Sequence, residues 1–304
     1  MTVRPPTDPT RNLDHARPAA IETIGIVSPG AMGSALARAW ASGGARVVAT
    51  VADRSARTAR LATGLELLPD LESVVSESDL VVSICPPAAS DDVLVAVLDA
   101  ARATDVAPLL LDANAVSPDR VQALARRANR AGLDLVDGSV SGGPPAPGGD
   151  TVLYLSGARA AEVADLPAVG LRRSIVGERV GNASAVKMCT ASVYKGTTAV
   201  WAQALQTAHS LGVLRPVLED LAEEFPAQVE GAGRRLAVAA AKSARFVDEM
   251  ESIARTQQSA GASPELFDAM AAVYRRLSAT RLAALSPEEA SALTDLRDVL
   301  GRLA

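Results

Sequence analysis

An apolar run, Glu22–Val27, leads into the turn Ser28-Pro29-Gly30-Ala31-Met32-Gly33, and an alanine-rich stretch follows directly, Ala31–Ser42. A second apolar run, Ala45–Val51, comes next. Strand, tight turn, helix and parallel strand in about 30 residues make a βαβ unit, and that unit restricts the chain to open α/β sheets. The turn carries the last two glycines of a G-x-G-x-x-G pattern, with Ser28 in place of the first. Gly30 gives a bound pyrophosphate a side-chain-free approach, and Gly33 brings the helix close to the sheet. The helix start adds unpaired N–H groups and the positive end of a dipole. Ser28, Pro29, Gly30, Ala31, Met32 and Gly33 are therefore candidate dinucleotide ligands. Taken alone, the same residues also suit a tight βα connection that binds nothing.

The alternation continues. Asp79–Pro87, Leu109–Asn114 and Leu133–Asp137 read as buried strands, with helical segments at Ser90–Ala100 and Ser117–Ala131 between them. Such a pattern predicts a doubly wound, mostly parallel sheet, extended by Thr151–Ser156 and Arg173–Val176. Ligand groups in such sheets gather at the carboxyl ends of the strands, which places Cys85, Pro86, Pro87 and Asn114 beside a nicotinamide ring. After the second strand the chain runs Asp53-Arg54-Ser55. Asp53 suits a ribose 2′-hydroxyl, whereas Arg54 and Ser55 offer a charge and a hydroxyl to a 2′-phosphate. The arginine favours NADP over NAD.

Two further segments carry chemistry. Asp137–Gly149 reads as a Pro/Gly-rich loop in which Ser139, Ser141, Gly142 and Gly143 can present N–H and hydroxyl groups to an anion. A rigid surface loop would look the same. From Ala183 to Leu211 a long helix is expected, with Lys187, Thr190, Tyr194, Thr198 and Trp201 on one face. Val186, Met188 and Cys189 around Lys187 imply partial burial, although a lone helical lysine is ordinarily solvated. Lys195 lies about 80° round the helix from Lys187 and is the weaker candidate. Residues after Pro216 read as more helices, broken near Phe225-Pro226, Gly261–Pro264 and Ser286-Pro287.

Three segments together resemble the β-hydroxyacid dehydrogenase family, which includes 3-hydroxyisobutyrate and 6-phosphogluconate dehydrogenases and imine reductases. IGIVSPGAMG resembles the cofactor turn, DGSVSGGPPAPGG the substrate loop and GNASAVKMC the catalytic-lysine helix. KMCTASVYKGTTAV and RFVDEMESIA resemble a little-characterised branch with its own C-terminal helical domain. The resemblance implies a Rossmann domain over residues 21–182 and an all-α substrate and dimerisation domain over residues 183–304, with residues 1–20 a disordered leader. It implies catalysis by Lys187 as general acid and base. Ser141, Gly142 and Gly143 would hold the substrate carboxylate, with Thr190 and Tyr194 also near the substrate, and the active protein would be a homodimer. Two departures stand out: Thr190 and Ala191 replace the family's asparagine, and Glu249-Met250 replaces a Lys-Asp pair. Glu249 would repel an anion or attract an imine if it faced the cleft; as a solvated helix residue it would do neither.

Composition narrows the rest. The 304 residues are 48% hydrophobic but only 3% aromatic, so the core must be built from Ala, Leu and Val. A net charge of −5 with interspersed signs gives no basic footprint for nucleic acid. No apolar run reaches the roughly 20 residues of a membrane span. His209 has no companions for a metal site, and Cys85 and Cys189 are expected to be unpaired thiols in a cytoplasmic protein. The expected activity is NADP-dependent hydride transfer on a small hydroxy or oxo acid. Imine reduction and a non-catalytic dinucleotide sensor are the alternatives.

Overall fold

The structure, a computed structural model, describes residues 20–303; the leader expected over residues 1–20 falls almost wholly outside them. Eight strands form one sheet: β1 Thr23–Ile26, β2 Arg46–Ala49, β3 Glu66–Leu67, β4 Leu80–Ser83, β5 Leu109–Asp112, β6 Leu135–Ser141, β7 Val152–Ser156 and β8 Arg172–Ile175. Their order is β3-β2-β1-β4-β5-β6-β7-β8. Neighbours are parallel except β6 and β7, where Asp137 pairs with Ser156 and Ser141 with Val152 in antiparallel register. The order reverses between β1 and β4, so a crevice opens at the carboxyl ends of those two strands.

The helices between the strands are α1 Ala31–Ala41, α2 Ala56–Leu61, α3 Leu71–Ser76, α4 Ser90–Thr104, α5 Pro118–Arg130 and α6 Ala160–Ala164. The central strands are buried on both faces, which is why they read as unbroken apolar runs. Leu80, Val82, Leu109 and Leu111 pack on the side of α1 with Leu36 and Trp40. Val81 and Leu110 point the other way, onto Leu94, Val97 and Leu124 of α4 and α5.

The remainder is helical: α7 Asn182–Ser210, α8 Leu214–Glu224, α9 Pro226–Glu230, α10 Ala232–Ala241, α11 Ser243–Ser259, α12 Glu265–Ser278, α13 Pro287–Ser291 and α14 Leu296–Arg302. These helices share a third core with Met188, Leu205, Leu236, Met250, Ile253 and Tyr274. The break expected at Ser286-Pro287 is a capping box, with Ser286 and Glu289 bonding each other's backbone N–H groups. The alanine-rich stretches let helices approach closely, as where Gly196 of α7 meets Met270 and Phe267 of α12.

One expectation fails. Gly138–Ser141, expected in the loop, is strand, because β6 runs through Ser141. Gly, Ser and Asp are poor strand formers, and each is here for a tertiary reason. A Cβ on Gly138 would lie 2.7 Å from Leu111. Asp137 and Ser139 are buried and hydrogen-bonded to the start of α7.

Candidate active site

The turn after β1 is built by its own backbone. The Gly30 N–H donates to the Ser28 carbonyl at 2.8 Å, the Ser34 N–H donates to the Gly30 carbonyl at 2.8 Å, and the Ser34 hydroxyl donates to the Pro29 carbonyl at 2.5 Å. A Cβ on Gly33 would lie 2.2 Å from the Ser28 carbonyl oxygen, so only glycine allows α1 to start here. A Cβ on Gly30 would meet nothing within 4 Å, so the space over the turn is free. The Ser28 hydroxyl is buried without a partner among the described residues. No acidic side chain stands in the first turn of α1 to oppose an anion. An open approach, an orphaned hydroxyl and an uncontested helix N-terminus fit a dinucleotide pyrophosphate.

Beyond β2, Asp53 adopts a left-handed backbone conformation with φ +56°, which turns Arg54 and Ser55 toward α2. Asp53 and Arg54 are exposed. Ser55 caps α2, its hydroxyl oxygen accepting the Thr58 N–H at 3.2 Å, so that oxygen serves the fold first.

A cavity of about 160 Å3 lies at the carboxyl ends of β4, β5 and β6. Met32, Ile84, Cys85, Pro87 and Asn114 line its cofactor side. Pro87 is buried in a short 3-10 turn, whereas Pro86 is exposed and outside the lining. The Asn114 side chain ties strand ends together: its oxygen accepts the Cys85 N–H at 2.7 Å, and its nitrogen donates to Ser83 at 3.0 Å and to Asp112 at 2.9 Å. Asn114 thus braces the Cys85–Pro87 strap while lining the cavity. Burial pushes the Cys85 thiol up to about 11, with Asp112 adding to it, so Cys85 stays protonated and poorly nucleophilic. Asp112 is itself pushed up to about 7, chiefly by burial, with the Asn114 hydrogen bonds opposing.

The opposite wall belongs to α7 and α11. The helix start is capped from a distance. Gly181, at φ +107°, and Ser184 donate backbone N–H groups to Asp137 at 2.9 and 3.0 Å, and the Ala183 N–H donates to the Ser156 hydroxyl at 3.0 Å. The Ser184 and Ser156 hydroxyls also donate to Asp137, at 2.7 and 2.9 Å. A buried carboxylate at a helix N-terminus suits the dipole and fixes where Lys187 emerges. The Lys187 ammonium donates to the Val140 carbonyl at 2.6 Å and faces the cavity. Burial lowers its pKa from the usual lysine value, and the Arg245 charge lowers it further.

Two side chains weigh more here than the sequence suggested. Lys195 lines the same cavity as Lys187. Glu249 is not a solvated helix residue: it is 3% exposed, in the cavity wall. One carboxylate oxygen contacts the Lys195 ammonium, and the other lies 3.1 Å from Arg245 Nε. Burial, helped by the neighbouring Lys187, Arg245 and Lys242 charges, pushes Lys195 down to about 6. The signal available in the sequence was the spacing Arg245-x-x-x-Glu249, an i,i+4 pair on one helix face.

The other expected substrate residues sit around a neighbouring hollow. Ser141, Gly142, Thr190 and Tyr194 line it together with Lys187 and Lys195. Gly142 alone of the Ser141–Gly143 segment also reaches the main cavity; the Gly143 carbonyl accepts the Thr151 hydroxyl at 2.8 Å. The Thr190 hydroxyl bonds back to the Val186 carbonyl at 3.0 Å. Tyr194 is 70% exposed, and Trp201 packs edge-on against Phe225 with ring centroids 6.1 Å apart. The expected polar stripe of α7 thus divides among cavity, surface and core. Cys189 is exposed rather than set among apolar side chains, and both cysteines are free. Among the described residues no cluster of His, Cys, Asp and Glu could hold a metal, and no helix is long and apolar enough to cross a membrane.

A dinucleotide turn and a half-buried lysine meet in one cleft of an α/β dinucleotide-binding fold. Residues 23–169 match the NAD binding domain of 6-phosphogluconate dehydrogenase, and residues 208–277 match a domain of unknown function, DUF1932. No curated protein matches the chain. Among solved structures, a conserved hypothetical protein from Sinorhizobium meliloti 1021 is 26% identical, with a TM-score of 0.63, covering 94% of this chain and 98% of that one. A 3-hydroxyisobutyrate dehydrogenase from Mycobacterium tuberculosis is 19% identical with a TM-score of 0.66, covering 93% and 99%. An imine reductase from Streptomyces aurantiacus is 22% identical with a TM-score of 0.53, covering 92% and 99%. Residues 23–169 thus form an NAD-binding domain, and the chain shares its fold with these dehydrogenase and imine reductase structures.

Proposed function

We propose that this protein is an NADP-dependent oxidoreductase acting on the hydroxyl or carbonyl carbon of a small carboxylate-bearing substrate, with Lys187 as general acid and base. The observation that carries this reading is the Lys187 ammonium in one cavity with Met32, Cys85, Pro87 and Asn114. A bound nicotinamide dinucleotide accepts or supplies the hydride. In oxidation, neutral Lys187 takes the substrate hydroxyl proton at Nζ; in reduction, its ammonium returns a proton to the carbonyl oxygen. The Val140 carbonyl holds one N–H of the amine, which leaves the remaining valences for the cleft. The lowered pKa favours the neutral amine more than in an ordinary lysine.

Ser28, Gly30 and the N-terminus of α1 would hold the pyrophosphate, and exposed Arg54 would pair with a 2′-phosphate. Arg54→Ser should weaken NADPH binding about 10-fold and leave NADH binding unchanged in fluorescence titrations. A preference for NADH in the wild type would overturn the cofactor assignment. The test of the activity is the panel itself: 3-oxo acids and cyclic imines with NADPH, followed by absorbance. Imine reduction is favoured by one observation, the Glu249 carboxylate in the cavity wall, which would attract an iminium. Turnover of imines and not of oxo acids would select that reading, and tight cofactor binding without any turnover would select a sensor.

The protein would act as a homodimer. Val193, Tyr194 and Val200 of α7 and Leu266 of α12 are exposed apolar side chains, and Val200 and Leu266 line an apolar groove between the two helices. A second copy covering this face accounts for them. The unpaired Cys85 and Cys189 support a cytoplasmic location.

A further inference from the structure

We propose that Asp112, which lies outside the cavity lining, is a positioning residue for the dinucleotide: its carboxylate orients Asn114 and, through Asn114, the Cys85–Pro87 strap on the cofactor side. This rests on the dinucleotide reading given above.

Three polar residues stand side by side where the apolar strands end. Ser83 of β4 is in register with Asp112 of β5, and Asp112 with Asp137 of β6. Asp137 is accounted for by the start of α7 and by Ser156, which together give it four hydrogen bonds. Asp112 has no such duty. Among the described residues every hydrogen bond to its carboxylate comes from Asn114: the backbone N–H reaches one oxygen at 3.1 Å, and the side-chain nitrogen reaches the other at 2.9 Å. Among the same residues no cation pairs with it, since Arg120 of α5 is engaged by Asp91 of α4. Asp112 is 4% exposed, and an unpaired carboxylate at that depth costs the fold more than a neutral side chain would. Its use lies in what it does to Asn114.

An ionised carboxylate only accepts hydrogen bonds. It draws the NH2 end of the Asn114 amide toward itself and Ser83, and so turns the amide oxygen to the Cys85 N–H. The reversed amide would set oxygen against the carboxylate and NH2 against the Cys85 N–H, a mismatch at both ends. With both amide hydrogens committed, Asn114 offers the cavity only a lone pair of its oxygen, an acceptor for an N–H or O–H group of the cofactor.

A proton on Asp112 removes this constraint, because a neutral carboxyl carries a donor of its own and can satisfy either amide orientation. Burial pushes Asp112 up to about 7; Asp137 beside it adds to the rise, and the Asn114 hydrogen bonds and the Arg120 charge oppose it. Cys85 faces it from the strap and stays protonated there. Binding that needs the locked strap favours the ionised acid. Dinucleotide affinity should therefore fall as pH drops through about 7, and binding near that pH should release a proton.

The full chain is titrated by calorimetry with NAD+, which lacks the 2′-phosphate that itself titrates near about pH 6, from about pH 5.5 to about 8.5. Asp112→Asn places a donor where one oxygen stood, as the protonated acid does. The variant should bind NAD+ about 10-fold more weakly than wild type at the upper end, and the gap should close at the lower end. Any contribution from Lys195 in the cavity wall is common to both proteins and cancels in their difference. Parallel pH curves, or equal affinities throughout, overturn the inference; a purely structural role would leave a gap that ignores pH. If the variant fails to fold, wild type decides: heats that depend on the ionisation enthalpy of the buffer near neutral pH report the released proton, and heats independent of it overturn the inference. Failure of the dinucleotide reading looks different, with neither NAD+ nor NADP+ bound by wild type at any pH, and would sink both.

Discussion

The two walls of the cleft are made in opposite ways. On the cofactor side, Ser28, Pro29, Gly30 and Ser34 bond to one another within a single turn, and Gly33 packs on the Ser28 carbonyl. On the other side, Lys187 leans on Val140 of β6, Lys195 meets Glu249 of α11, and the start of α7 is held by Asp137 and Ser156. The first wall is local backbone, suited to the phosphates common to all dinucleotides. The second is distant side chains brought together by packing, so it can be changed to suit a substrate while the first stays as it is.

Mutations can break this contrast. The largest effect is expected from Lys187→Met, which should reduce kcat about 10^3-fold while changing dinucleotide affinity by less than a factor of about two; near-normal steady-state rates would refute the assignment. Next comes Asp137→Asn. It disturbs a buried carboxylate that receives bonds from Gly181, Ser184 and Ser156, and should cost roughly 3 kcal/mol in urea unfolding. A loss below about 1 kcal/mol would show that α7 does not depend on that cap. Gly33→Ala should cost about 2 kcal/mol through backbone displacement and weaken the dinucleotide together with the fold. Gly30→Ala separates the two: its Cβ meets no protein atom, so thermal unfolding should stay put while dinucleotide affinity falls about 10-fold. An unchanged affinity would mean the phosphates do not approach Gly30.

The smallest effect is in pH. The pKa of Lys187 is lowered by burial and by Arg245, and under the proposed function the neutral amine would be the base. Oxidation should therefore rise with pH through an inflection below the ordinary lysine value of 10.5, and reduction should fall through it. In Arg245→Gln a repelling cation is gone, so that inflection should move up by a fraction of a unit. An inflection that stays in place would separate the two side chains electrically.

Much of the cofactor wall could be read from the order of residues, because a βα turn shows its glycines and its flanking apolar runs within a dozen positions. The long helix was equally plain: Pro-free, alanine-rich and interrupted only by Gly196, it spans Asn182–Ser210 in the structure. Segment 138–141 was not, since its Gly and Ser suggest a loop until Leu111 and α7 are seen to require them. Lys195 and Glu249 could not be placed from the sequence for a related reason. An isolated ionisable residue on a helix is normally solvated, and nothing nearby in the chain shows that a second helix will cover it.

The sequence by itself determined the alternation of strands and helices, the glycine turn and the position of Lys187 near the start of a long helix, because each rests on periodicity or on contacts a few residues apart. Tertiary structure decided which charges share the cleft. The pairing of Lys195 with Glu249, the outward reach of Arg245 and the capping of α7 by Asp137 depend on electrostatics between residues far apart in the chain, and only packing sets those distances.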